Sequence, residues 1–195
     1  MLEPKVSDLK EESHQMDTNF DEISRLRNSV EDLTACIESN PEDSDAYYRR
    51  GVVYGQLVDP VASIRDFDEV IRLDSSNSEA YYNRGLAYIH LKQHSAAVED
   101  FTQAIRLKSD HTDAYNNRAA SLYELGKSEQ ALHDADEAIK LDGQLPSAYA
   151  VRALAYSDLG YDRAAQENAE KATDLGFDGH LLYHLIQQAK KGPKL

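Results

Sequence analysis

Asp45-Ala46-Tyr47-Tyr48-Arg49-Arg50-Gly51 returns as Glu79-Ala80-Tyr81-Tyr82-Asn83-Arg84-Gly85, then as Asp113-Ala114-Tyr115-Asn116-Asn117-Arg118-Ala119. A fourth copy reads Ser147-Ala148-Tyr149-Ala150-Val151-Arg152-Ala153, and each copy begins 34 residues after the one before. A fixed period of this length, filled by the same residue types, marks stacked helical repeats and outranks any short local motif. Stacked repeats bury a shared core and leave a long face for a partner, so the pattern bears on function as well as fold.

Within the second copy the apolar spacing predicts two helices. Ala80, Tyr81, Leu86, Ala87, Tyr88 and Leu91 give the first, and Ala96, Ala97, Phe101, Ala104, Ile105 and Leu107 give the second. Lys92–Ser95 is the turn between them, and the polar run Ser109–Thr112 suits a cap for the helix that follows. Asp59-Pro60 marks the matching corner of the first copy, while Gly126 and Gly160 stand where the third and fourth copies turn. Small residues at Ser63, Ala97, Ala131 and Ala165, and at Gly51, Gly85, Ala119 and Ala153, let the helices of a pair approach closely. Tyr47, Tyr81, Tyr115 and Tyr149 fill the volume between helices. Ile71, Ile105 and Ile139, with Leu73, Leu107, Leu141 and Leu175, are expected as the seam to the neighbouring repeat.

The net charge of −14 is unevenly spread: residues 1–43 carry 12 acids and 4 bases, and residues 180–195 carry no acid and 3 bases. No Lys/Arg stripe suited to nucleic acid or an anionic membrane is present. The single Cys36 excludes an internal disulfide framework and is expected to be a small buried residue. Met1–Lys5 shows no apolar signal region and no run reaches membrane-spanning length, so the expected location is cytoplasmic.

The arginine series is perfect in period, and Asp66, Asp100 and Asp134 follow it at a constant interval on the second helices. The reading is an Arg–Asp pair inside each repeat, since a guanidinium can bond a carboxylate twice. Asn168 takes that place in the fourth copy, so Arg152 is expected to be the arginine open to a ligand. His180 and His184 are four apart, but nothing beside them completes a metal site. No phosphate-binding loop, dinucleotide fingerprint, nucleophile elbow or zinc-hydrolase motif occurs, so the expectation is a non-catalytic chain without cofactor or metal.

These recurring small and aromatic positions resemble the tetratricopeptide repeat (TPR) family, over residues 44–77, 78–111, 112–145 and 146–179. The chain departs from the family pattern in the arginine series and in lacking the proline that often closes a repeat. The resemblance implies an all-α superhelical solenoid of antiparallel helix pairs. Reading back one period, Asp32, Leu33, Cys36 and Ile37 align with Asp66, Phe67, Val70 and Ile71. Residues 10–43 are therefore expected to form a degenerate leading pair, with helices over 10–26 and 29–41 and a box at Ser29 and Asp32 opening the second. Residues 1–9 and 192–195 are expected as tails, and residues 180–191 as a capping helix.

The resemblance also implies a function: a protein-interaction scaffold or adaptor that holds a peptide or helix in a groove lined by first helices. Those positions are Tyr48, Arg49 and Gln56, then Tyr82, Asn83 and His90, then Asn116, Asn117 and Glu124, then Asp158, with Arg152 as the open cation. Asp45, Glu79 and Asp113 stand at the edge, so the expected partner is a neutral to basic protein or peptide, not nucleic acid or membrane. Asparagine amides both donate and accept, which suits a peptide backbone. The family's dicarboxylate clamp for chaperone tails needs two Lys, two Asn and one Arg. In one register its places hold Tyr48, Val52, Asn83, Asp113 and Asn117; in the next, Tyr82, Leu86, Asn117, Ser147 and Val151. Starting from the leading pair they hold His14, Thr18, Arg49, Glu79 and Asn83. None supplies the cations, so that class of partner is not expected. The rival is a structural protein that self-assembles into a homo-oligomer, and enzyme or metal carrier is a minor alternative.

Overall fold

Ten α-helices and no strand occur among the described residues. The computed structural model describes the backbone of residues 6–191 and the side chains of residues 21–189. The chain divides into two compact units, the first ending at Ser75 and the second beginning at Ser76. The first holds α1 (Val6–Ser39), α2 (Ser44–Gln56) and α3 (Pro60–Leu73). The second holds α4 (Ser78–His90), α5 (His94–Leu107), α6 (Thr112–Glu124), α7 (Ser128–Leu141), α8 (Pro146–Asp158), α9 (Asp162–Asp174) and α10 (Gly179–Lys191).

The helices begin where the chain offers caps. Asp43, Asp59 and Asn77 each accept a hydrogen bond from the backbone N–H three residues on, at 3.0 Å, and Pro60 and Pro146 open their helices without a wasted donor. The turns inside the pairs need a left-handed residue at one recurring place: Val58 (φ 56°), Lys92 (φ 57°), Gly126 (φ 70°) and Gly160 (φ 81°). Only the last two are residues for which that conformation is free of steric cost.

Across each pair the arginine of the first helix clasps the second. Arg50 bonds both oxygens of Asp66 (2.8 and 2.7 Å), Arg84 both of Asp100 (2.8 and 2.7 Å) and Arg118 both of Asp134 (2.6 and 2.8 Å). The three carboxylates are buried. The bond to Asp66 raises the Arg50 pKa further above its ordinary value, against the opposing effect of burial. Each guanidinium also lies over the tyrosine of its own helix, from 5.1 Å for Arg152 on Tyr149 to 5.7 Å for Arg50 on Tyr47. The tyrosine series thus serves the arginine series as well as filling space.

Glycine and phenylalanine are matched pair by pair. A Cβ on Gly51 would meet Phe67 at 3.1 Å, and one on Gly85 would meet the fully buried Phe101 at 2.7 Å. In the third and fourth repeats alanine replaces both partners, Ala119 with Ala135 and Ala153 with Ala169. Gly85→Ala should therefore destabilise the second unit. Overpacking costs about 1–3 kcal/mol, and the helix preference of alanine returns at most about 1 kcal/mol. Urea unfolding checks this, and Phe101→Leu in the same chain should recover part of the loss.

Several expectations need correction. Helix α1 is continuous where a pair over 10–26 and 29–41 was expected, because no glycine or proline interrupts residues 6–39. Ser29 opens no helix; its hydroxyl donates to the Arg25 carbonyl one turn back, at 3.0 Å. Of the expected tails, residues 1–5 and 192–195 lie outside the described residues, and residues 6–9 are helical. Cys36 is exposed. Leu33 and Ile37 turn to the core with Ala46, and Cys36 falls beside that buried stripe, on the solvent flank of α1. Leu107 and Leu141 are also exposed, at 37% and 41%; Ile105 of the expected seam is buried, and Ala104 and Ala138, one turn before the two leucines, are buried as well.

At the other end Asp178 caps α10 through the N–H groups of His180 and Leu181. Leu182 and Ile186 of α10 pack with Ala150, Ala153, Leu154 and Ala172 in one cluster. No described helix is long and apolar enough to cross a membrane.

Candidate functional site

In the first compact unit, α2 presents Tyr48, Arg49 and Gln56. Tyr48 is half-buried and meets Phe67 edge to face at 5.8 Å. Arg49 is exposed and stands 3.7 Å from Asp45 one turn back, and Gln56 is exposed at the last position of the helix.

In the second unit, α4, α6 and α8 supply the rest. Tyr82 is half-buried, with its ring 5.8 Å from Phe101 and 4.6 Å from His111. Its hydroxyl accepts a hydrogen bond from Asn117 Nδ2 at 3.1 Å. Asn83 donates to the Glu79 carbonyl of its own helix at 2.8 Å. Asn116 is half-buried, and its Oδ1 is shielded from solvent without a hydrogen-bond partner. His90, Glu124 and Asp158 are the exposed last residues of α4, α6 and α8. Asp158 accepts a hydrogen bond from the hydroxyl of Ser128, at the start of α7.

The electrostatics are acidic. Burial first, and then the nearby Asp113 and Glu79, push the Tyr82 phenol from 10.0 up to about 12, with the Asn117 bond opposing. Burial, Asp158 and Glu124 likewise raise the Tyr123 phenol. Both phenols therefore stay protonated at neutral pH, and Tyr82 keeps a proton to donate. The folded pKa of Tyr82 lies above its unfolded value, so its stabilising share is complete below pH 10 and is lost as pH rises toward about 12. Tyr82→Phe should lower the urea midpoint at about pH 9, and the gap to the unaltered chain should narrow by about pH 11.

Arg152 is not open to a ligand. Its Nε donates to Asn168 Oδ1 and its Nη1 to Asp136 Oδ1, both at 2.7 Å. Asn168 offers one acceptor oxygen where each aspartate offers two, its Nδ2 donating instead to the Ala164 carbonyl, and Asp136 restores the charge from the preceding helix. The same reach recurs as Arg50 Nη1 to Thr34 (2.9 Å) and Arg118 Nη1 to Thr102 (3.0 Å). Arg50, Arg118 and Arg152 thus each tie their own pair to the helix before it. A column of Thr34, Thr102 and Asp136, sixteen residues ahead of these three arginines, was the sequence signal for this.

His111 is the residue that sequence reading missed. It is buried at the N-cap of α6, makes no side-chain cap, and stacks on Tyr82. Its Nε2 stands 3.7 Å from Glu79 Oε2 and has no hydrogen-bond partner. Its signal was a break in the cap column, where Asp43 and Asn77 are followed by a histidine.

Comparison with known proteins places the fold. A crystal structure of MamA matches with a TM-score of 0.75 at 20% identity, covering 89% of this chain and 96% of that one. PilF of Pseudomonas aeruginosa matches with a TM-score of 0.72 at 16% identity, covering 91% of this chain and 85% of that one. The first TPR of Spaghetti (RPAP3), bound to an HSP90 peptide, matches with a TM-score of 0.59 at 24% identity, covering 60% of this chain and 93% of that one. At these identities the likeness is one of fold. No curated protein sequence matches significantly. Family models described as tetratricopeptide repeat match residues 78–111, 112–145 and 146–175. With the 34-residue period, the helix pairs and these matches in agreement, the chain belongs to the tetratricopeptide repeat family.

Proposed function

We propose that this TPR scaffold is a non-catalytic, cytoplasmic adaptor that holds a peptide or helical segment of a neutral to basic partner protein against its first helices. The observation that carries the reading is the Tyr82 arrangement. A half-buried ring is fixed by Phe101 and His111, its hydroxyl is oriented by Asn117, and Glu79 and Asp113 stand close by. A fixed aromatic ring offers apolar contact area at little entropic cost, and its polar tip selects a hydrogen-bonding partner. Asn116 and Asn117 add amide groups suited to a peptide backbone. Glu124 and Asp158 extend the acidic character along α6 and α8.

The Spaghetti neighbour is solved with the HSP90 peptide SRMEEVD, whose end is acidic. That chemistry does not carry over. The clamp positions hold no lysine, and Asp113 and Glu79 would repel a carboxylate. Selection from a random peptide library on the full chain tests the reading. The enriched peptides should be neutral to basic and should bind more weakly as salt rises. Enrichment of acidic C-termini would contradict it.

A further inference from the structure

Two grooves in the second unit occupy the same place in the repeat, two periods apart. The first, about 250 Å³, is walled by Val98 and Thr102 of α5, Arg118 of α6, and His133 and Asp134 of α7. The second, about 610 Å³, lies between α9 and α10 and is bounded by Gln166, Glu170 and Ile186, among others. Gln166, Glu170 and Ile186 stand 68 residues after Val98, Thr102 and Arg118, so they are the same three positions. The larger volume has a plain origin. In the first groove α7 supplies the third wall, and among the described residues no helix follows α10 to close the second.

The chemistry of the α9–α10 groove differs from that of the three-walled one in a directed way. In the three-walled groove Arg118 supplies the cation, to Thr102 on one side and Asp134 on the other. In the α9–α10 groove the cation's position holds Ile186, which is turned into the core cluster with Ala153 and Leu154. The acceptor's position holds Glu170, an exposed carboxylate whose Oε1 accepts from Gln166 at 3.0 Å. Among the described residues no cation pairs with Glu170. Tyr183 stands at the position of Tyr149, which Arg152 covers at 5.1 Å, yet Tyr183 is 67% exposed. The floor is small and apolar, with Ala165, Ala169, Gly179 and Ile186. A carboxylate and an uncovered ring thus remain at the places where, one repeat earlier, Arg152 stands between Asp136 and Tyr149.

We propose that the α9–α10 groove is a second docking site, which takes one amphipathic helix from a partner protein. That helix packs as α7 packs on α5 and α6. It sets small apolar side chains against Ala165 and Ala169, and it brings an arginine that pairs with Glu170 and lies over Tyr183. Helix-in-groove recognition uses anchors at this spacing, and the bidentate reach of a guanidinium favours arginine over lysine.

The test uses the full chain and a fluorescein-labelled synthetic peptide of the α7 sequence, Ser128–Leu141, carrying Asp134→Arg so that a guanidinium faces the groove. Fluorescence anisotropy should show saturable binding. Glu170→Lys in the chain should weaken it about tenfold or more, and the peptide that keeps Asp134 should bind about tenfold more weakly than the altered one. Tyr183→Ala should cause a smaller loss. Both chain positions are exposed, and circular dichroism checks that the variants stay folded. No saturable binding up to about 1 mM peptide, or equal binding to the Glu170→Lys chain, overturns the proposal. Sedimentation of the free chain covers the other occupant. Self-association abolished by Glu170→Lys would assign the groove to a second copy and overturn the partner assignment.

Discussion

Arg118→Ala is expected to destabilise the chain by about 3–5 kcal/mol, because it leaves the buried Asp134 carboxylate without its cation. Asp134 is 3% exposed and takes two bonds from this one guanidinium. Asp134→Ala should cost a comparable amount, and the double variant should lose clearly less than the two single losses added. Additive losses in a thermal or urea cycle would show that the two are not energetic partners. The fourth repeat suggests a finer test. There, Asn168 replaces aspartate while Asp136 supplies the charge sixteen residues before Arg152. Asp134→Asn alone should therefore be costly, and Thr102→Asp added to it should recover stability by rebuilding the fourth repeat's arrangement in the third.

The second large effect is expected at α10. Deleting residues 179–195 removes Leu182 and Ile186 from their cluster and exposes Ala150, Leu154 and Ala172 to water. A solenoid end stripped of its cover loses stability and associates through the exposed seam. The milder Leu182→Ala should cost about 2–5 kcal/mol, since Leu182 is 1% exposed. Scanning calorimetry with light scattering checks both. A truncated chain that stays monomeric and melts at the original temperature would remove α10 from the account of stability.

The architecture was legible because the repeats restate one packing solution at one period. Arginine is set against aspartate in three repeats, and glycine against phenylalanine in two, each sixteen residues apart, so a single sequence carries several readings of the same contact. What was not legible followed from contacts whose chemistry varies. The second acceptor of the arginines is Thr34 or Thr102 in two places and Asp136 in another, and a column of unlike residues does not announce itself. This is why Arg152 looked open. Extrapolating the period backwards failed at α1 for a different reason. Leu33 and Ile37 keep the repeat's register, but no glycine or proline breaks residues 6–39, so the helix runs on, and Cys36 faces solvent. His111 was hidden because its place in the repeat suggests a cap, whereas its ring serves Tyr82.

The candidate face was legible as a set of positions on first helices. The internal bonds of Asn83 and Asn117 were not, since each depends on the local turn or on a neighbour one repeat away. Those bonds shape the expected outcome of mutation. Removing both amides should cost about 1 kcal/mol each in stability, leaving a folded chain with an altered face.

A partner segment is expected to lie on this face. The most direct measurement is titration calorimetry of one library-selected peptide against the unaltered chain and against Asn83→Ala with Asn117→Ala. The double variant should bind with an affinity at least about tenfold lower, with helical content unchanged. Equal affinity for the two chains would contradict it and move binding off the first helices.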